Sequence, residues 1–76
     1  MFTKKEYLEK GNLIAEVSIE ENVNIRTGDI DQTIEANFFN KKAKEVGWCR
    51  VFKRGQHIKP IGDINLANYF GLTSEA

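Results

Sequence analysis

The chain has one proline, one cysteine and one histidine, no surplus of charge of either sign and no long apolar run. Each scarcity excludes something. A lone Cys49 cannot close an internal disulfide, and without a CxxC or a Cys/His cluster there is no ligand set for a structural zinc. This usage predicts a reducing compartment. No segment approaches the roughly 20 apolar residues that span a bilayer. The start, "MFTKKEYLEKGNLIAEV", carries charges every few residues where a signal peptide needs an unbroken apolar stretch. These features predict a complete cytoplasmic chain with no membrane partner.

Catalytic and cofactor chemistry lack their usual carriers. The glycines at 11, 28, 47, 55, 62 and 71 are scattered and form no phosphate-cradling loop. His57 and Cys49 have no evident third group to orient them as a nucleophile and base. Asp29, Asp31 and Glu35 lack the spacing of a calcium loop. The expectation is a protein that is no enzyme and holds no metal and no cofactor.

What is present is an ordinary globular composition, 41% hydrophobic and 29% charged, in 76 residues. A chain of that length forms one domain with a small core, residues 1–76. Charge is neutral in sum but segregated along the chain. Residues 16–35 carry Glu16, Glu20, Glu21, Asp29, Asp31 and Glu35 against Arg26, whereas residues 41–59 carry Lys41, Lys42, Lys44, Arg50, Lys53, Arg54 and Lys59 against Glu45. A chain so divided can present a basic surface at zero net charge.

Local signals predict an α+β fold. Thr3 and Glu6 fit a capping box, Phe2 and Tyr7 a hydrophobic staple, and Gly11 a helix stop, which gives a short N-terminal helix at about 4–10. Leu13, Ala15, Val17 and Ile19 alternate with polar residues as in a half-buried strand. Residues 18–27 read either as a second strand, through Val23 and Ile25, or as a short helix capped by Ser18 and Glu21. Ala36, Phe39, Ala43 and Val46 recur at helical spacing, with Lys41, Lys42 and Lys44 near the favoured end of the dipole and Gly47 as the stop, predicting a central helix at about 32–46. A hairpin at 48–61 completes a small antiparallel sheet. A short helix at 64–71 follows, capped by Asp63 and ended by Gly71.

The hairpin "GWCRVFKRGQHIKP" carries the clearest functional signal. Strand alternation sends Trp48, Arg50 and Phe52 to one side and Cys49, Val51 and Lys53 to the other. A two-residue turn at Arg54-Gly55 would set Arg50 opposite Lys59 and Phe52 opposite His57. A three-residue turn would set Arg50 opposite Ile58. The first register makes a basic and aromatic face suited to an anion, the second an edge kept soluble by charge.

The stretch "ANFFNKKAKEVGWCRVFKRGQHIKP", residues 36–60, resembles the recognition helix and wing of winged-helix DNA-binding domains. The resemblance implies Asn37, Asn40, Lys41 and Lys44 on the exposed side of a helix in the major groove, and Arg50, Lys53, Arg54, Gln56 and Lys59 on a wing. "LANYFGLT" resembles the first helix and turn of a helix-turn-helix, but no recognition helix follows, so Leu66, Ala67, Tyr69, Phe70 and Leu72 read as a helix docked on the core. "NVNIRTG" with "GWCRV" resembles bacterial SH3-type domains, in a chain whose intervening segment has a helical period. The expectation is a small regulatory module that binds DNA or another nucleic acid through Lys41, Lys44, Trp48, Arg50, Phe52, Lys53, Arg54, Gln56, His57 and Lys59. The alternative is a small regulatory or inhibitory protein that binds a partner protein, and exposed edges leave room for a homodimer.

Overall fold

The computed structural model describes residues 2–74. Five strands run in chain order as an antiparallel meander: β1 (Phe2–Lys10), β2 (Leu13–Val23), β3 (Ile30–Asn40), β4 (Glu45–Arg54) and β5 (His57–Gly62). One short helix, α1 (Ile64–Tyr69), folds back onto the sheet. The molecule is a slab of 45 × 21 × 17 Å.

The α+β expectation of several helices is overturned here. The N-terminal helix at 4–10 is strand β1, and the central helix at 32–46 is strand β3, a turn and the start of β4. In β1 the reason is pairing. Gly11-Asn12, read as a helix stop, is a two-residue hairpin turn that sets Leu8 opposite Ala15 and Glu6 opposite Val17. In β3 the alternation Ile34, Ala36, Phe38 competes with the helical spacing and wins, because β2 and β4 offer ladders on both sides. The helix-like spacing crossed a turn. Asn40 Oδ1 accepts from the N–H groups of Lys42 and Lys44 at 2.9 and 3.1 Å, which ends β3 and reverses the chain. Residues 18–23 belong to β2, which settles the open reading of that stretch as strand. The helical period that set the chain apart from SH3-type domains is likewise absent, and the sheet is open, with β1 and β5 at opposite edges.

One face of the sheet holds the core. Ala15 and Val17 of β2, Ile34, Ala36 and Phe38 of β3, and Cys49 and Val51 of β4 are buried, together with Ala67 and Leu72 from α1 and the turn after it. Leu8, Ile19, Ile58, Leu66 and Phe70 close its margin, and the Phe38 and Phe70 rings stack at 5.4 Å. Helix α1 has six residues, too few to persist by propensity, so its stability comes from this packing. It covers the segment predicted as 64–71 less its last two residues, and Gly71 with φ 73° provides the left-handed stop.

Asp63 stands at the helix start but does not cap it. Its carboxylate accepts from the Trp48 N–H at 2.8 Å, and its own N–H donates to the Trp48 carbonyl at 2.8 Å. These two bonds extend the β4 ladder beyond the end of β5 and pin the helix to the sheet. The glycines beside them make the approach feasible. A Cβ on Gly62, where φ is 87°, would lie 2.6 Å from the Trp48 carbonyl oxygen, and one on Gly47 would lie 2.7 Å from Leu66 Cδ1.

Among the described residues no helix is long and apolar enough to cross a membrane.

Candidate binding site on the open sheet face

The second face of the sheet, the outer face, has no covering layer among the described residues. Alternation and register place on it Thr3, Lys5, Tyr7 and Glu9 of β1; Ile14, Glu16, Ser18, Glu20 and Asn22 of β2; Asp31, Thr33, Glu35, Asn37 and Phe39 of β3; Trp48, Arg50, Phe52 and Arg54 of β4; and His57, Lys59 and Ile61 of β5. Aromatic and aliphatic side chains here remain open to solvent: Tyr7 is 69% exposed, Phe52 40% and Ile14 36%, with Trp48, Phe39 and Ile61 half-buried.

The hairpin register differs from both expected versions. The turn is the two-residue Gly55-Gln56, with Gly55 at φ 56° in its first position, the conformation a type II′ turn requires. Arg54 therefore faces His57, Phe52 faces Lys59 and Arg50 faces Ile61. The sorting of Trp48, Arg50, Phe52, His57 and Lys59 onto one face holds, but the like-charged Arg50–Lys59 pair does not form.

Both arginines are held by acids of the neighbouring strand. Arg50 Nη2 and Nε donate to Glu35 Oε2 at 2.7 and 3.2 Å, and its guanidinium lies 5.5 Å from the centre of the Trp48 ring. Arg54 makes a two-pronged pair with Asp31, Nε to Oδ1 at 2.7 Å and Nη2 to Oδ2 at 2.8 Å. That hydrogen-bonded pair holds the Asp31 carboxyl below its usual range and raises Arg54 in turn.

A groove opens at the end of this face beside the β4–β5 turn. Asn22, Asp31, Thr33, Phe52, Arg54, His57 and Lys59 line it, with Gln32, Lys53 and Ile58 also at its wall. It gathers Phe52, Lys53, Arg54, His57 and Lys59 of the expected site. Lys53 belongs to the inner face, where its ammonium donates to the Ser74 carbonyl at 2.7 Å and burial pushes its pKa down. Gln56 sits in the turn itself. Lys41 and Lys44 are not brought to the groove. They occupy the β3–β4 turn at the other end of the sheet, ten residues of strand away from Arg54 and so roughly 30 Å distant. The segment implied as a recognition helix, with Asn37, Asn40, Lys41 and Lys44, is strand and turn.

Sequence reasoning missed Asn22, Asp31, Thr33 and Glu35 as members of this face. For Asp31, Thr33 and Glu35 the signal was the alternation of β3, which becomes readable only once β3 is taken as strand, and Asn22 joins them as the β2 residue opposite Asp31. Cys49 and His57 lie on opposite faces, Cys49 buried with its thiol pushed up by that burial, so the two cannot act on one substrate. Among the described residues no group of three His, Cys, Asp or Glu side chains is placed to hold a metal ion. No protein-family model, curated protein or solved structure matches the chain.

Proposed function

We propose that the chain is a small regulatory module without catalytic activity that docks a partner protein on the outer face of its sheet. The observation that carries this reading is the neutralisation of the face. Lys5, Arg50, Arg54 and Lys59 stand among Glu9, Glu16, Glu20, Asp31 and Glu35, and Arg50 and Arg54 are bonded to Glu35 and Asp31. Phosphate recognition needs cations in surplus, whereas a protein interface favours aromatic residues and arginine within a balanced polar surround. Trp48 beside Arg50, with Phe52, Phe39 and Ile61 around them, is the residue chemistry of an interface centre.

Site-specific photo-crosslinking tests this. A benzophenone side chain at Phe52 is expected to trap a discrete protein adduct in cells, one at Asn68 on the helix side is not, and Trp48→Ser is expected to abolish the Phe52 adduct while the circular dichroism stays unchanged. Equal trapping from both positions would overturn the assignment to this face.

One observation favours nucleic acid as a second reading. Lys59 has no carboxylate partner among the described residues, and it stands opposite Phe52, next to His57 on the same face, an arrangement on which a base can stack beside a phosphate. Titration with single-stranded DNA at two salt concentrations separates the two readings. A slope near −0.7 per neutralised phosphate, reduced by Lys59→Ala, would replace the protein partner with a single strand.

A further inference from the structure

Strand β1 is an edge of the sheet, and it carries none of the usual structural guards. It pairs with β2 over nine consecutive residues, Phe2 to Lys10, without a bulge or a proline. The opposite edge, β5, is six residues long, contains Pro60 and ends at the Gly62 turn into the helix. Lysines commonly keep an edge from pairing by projecting free charge. On β1 each lysine is engaged within the chain: Lys4 with Glu6, Lys5 with Glu16 at 3.8 Å, and Lys10 with the Tyr69 carbonyl at 2.8 Å and over the Tyr69 ring. The hydrogen bond and charge of Glu6 raise the Lys4 pKa. Alternate residues of such an edge still turn an unpaired N–H and C=O outward.

From this edge we infer that β1 pairs antiparallel with β1 of a second copy of the chain, joining the two sheets into one of ten strands. A two-fold axis normal to the sheet keeps the two helix-covered faces on the same side, which allows pairing only between residues that share a face. That condition leaves few registers. With the axis at Glu6, two Glu6 carboxylates would meet. With the axis at Leu8, the overlap falls to residues 6–10. With the axis at Tyr7, residues 4–10 overlap, and Lys5 of each copy stands opposite Glu9 of the other on the outer face. Directly opposite side chains lie about 5 Å apart at Cβ, within reach of an ion pair. The two Tyr7 rings, each 69% exposed in the single chain, meet on the axis. On the inner face Lys4 would stand opposite Lys10, and these are two of the lysines already held within their own chain. The charge order Lys5-Tyr7-Glu9 is thus complementary to itself when reversed.

The inference is independent of what binds the outer face, and charge reversal tests it. Sedimentation equilibrium of the full chain should show monomer and dimer in exchange. Lys5→Glu alone and Glu9→Lys alone should each weaken association about tenfold or more, because each sets two like-charged pairs across the axis. An equimolar mixture of these two variants should restore the dimer, since every cross-axis pair is then of opposite charge. Tyr7→Glu, which places two carboxylates on the axis, is the second variant should either of the others fail to give the wild-type circular dichroism, and it should also dissociate the dimer. A wild-type chain that stays monomeric into the millimolar range would overturn the inference, as would single variants that associate as tightly as wild type, or a mixture that fails to recover.

Discussion

Ala43 has φ 61°, a left-handed conformation that costs an L-residue with a Cβ roughly 1–2 kcal/mol. The β3–β4 turn imposes it: the Ala43 N–H donates to the Asn40 carbonyl at 3.0 Å and the Asn40 N–H to the Lys44 carbonyl at 3.0 Å, so the chain must cross to positive φ between them. Glycine adopts this conformation freely but brings extra entropy to the unfolded chain. Ala43→Gly is therefore expected to stabilise the protein by about 0.5–1 kcal/mol, read as a higher urea midpoint with unchanged m. A lower midpoint would show that the turn relaxes around alanine. At this same scale the sequence was most legible in the hairpin. The sorting of Trp48, Arg50 and Phe52 to one side follows from alternation alone, and His57 and Lys59 share it because the two-residue turn sets odd-numbered residues of β5 opposite even-numbered residues of β4. What occupies the turn was not legible. Arg54-Gly55 and Gly55-Gln56 are both acceptable two-residue turns around one glycine, and the choice is made by the Asp31–Arg54 pair and the Asp63–Trp48 bonds, which join residues far apart in sequence.

At the scale of elements, β1 and β3 show why two helices were expected. Capping boxes, staples and dipole-matched lysines are local preferences of a few tenths to about 1 kcal/mol each. A strand pairing that buries Ala36 and Phe38 beneath a helix outweighs them. Helix α1 has its own N-cap side chain committed elsewhere, and the close seat at Gly62 lets it dock against the sheet. Gly62→Ala would bring a Cβ within 2.6 Å of one backbone atom and 3.0 Å of another, neither able to swing aside, whereas a Cβ on Gly55, also at positive φ, meets open space. Gly55→Ala should cost about 1–2 kcal/mol, the left-handed strain alone. Gly62→Ala should cost at least about 1 kcal/mol more, with faster hydrogen exchange at the Ala67 and Leu72 amides, which bond within and just beyond α1. Equal losses in the two variants, with exchange at Ala67 unchanged, would show that the helix does not depend on this seat.

At the scale of the whole molecule, the segregation of charge along the chain is undone by the meander. The acidic residues 16–35 and the basic residues 41–59 fold onto adjacent strands, so that Glu35 meets Arg50 and Asp31 meets Arg54. A sequence that reads as dipolar becomes a face of interleaved pairs, and a prediction of basic surface drawn from the linear sum fails for that reason. The pairing also ties stability to pH. The carboxyl of Asp31 titrates lower in the folded chain than in the unfolded one, chiefly through its hydrogen bonds from Arg54. The unfolded state then binds the proton first as pH falls, so the contribution of Asp31 is fully present above the ordinary carboxylate range and disappears as pH drops through the depressed folded value. Asp31→Asn removes that linkage. At neutral pH the variant should unfold at lower urea than wild type, by the modest margin expected of a solvent-exposed pair. The gap should close as pH falls below the carboxylate range, because the wild-type side chain is then neutral too. A gap that persists in acid would mean that Asp31 acts through its shape and hydrogen bonding, and that the charge of the pair contributes nothing to holding β3 against β4.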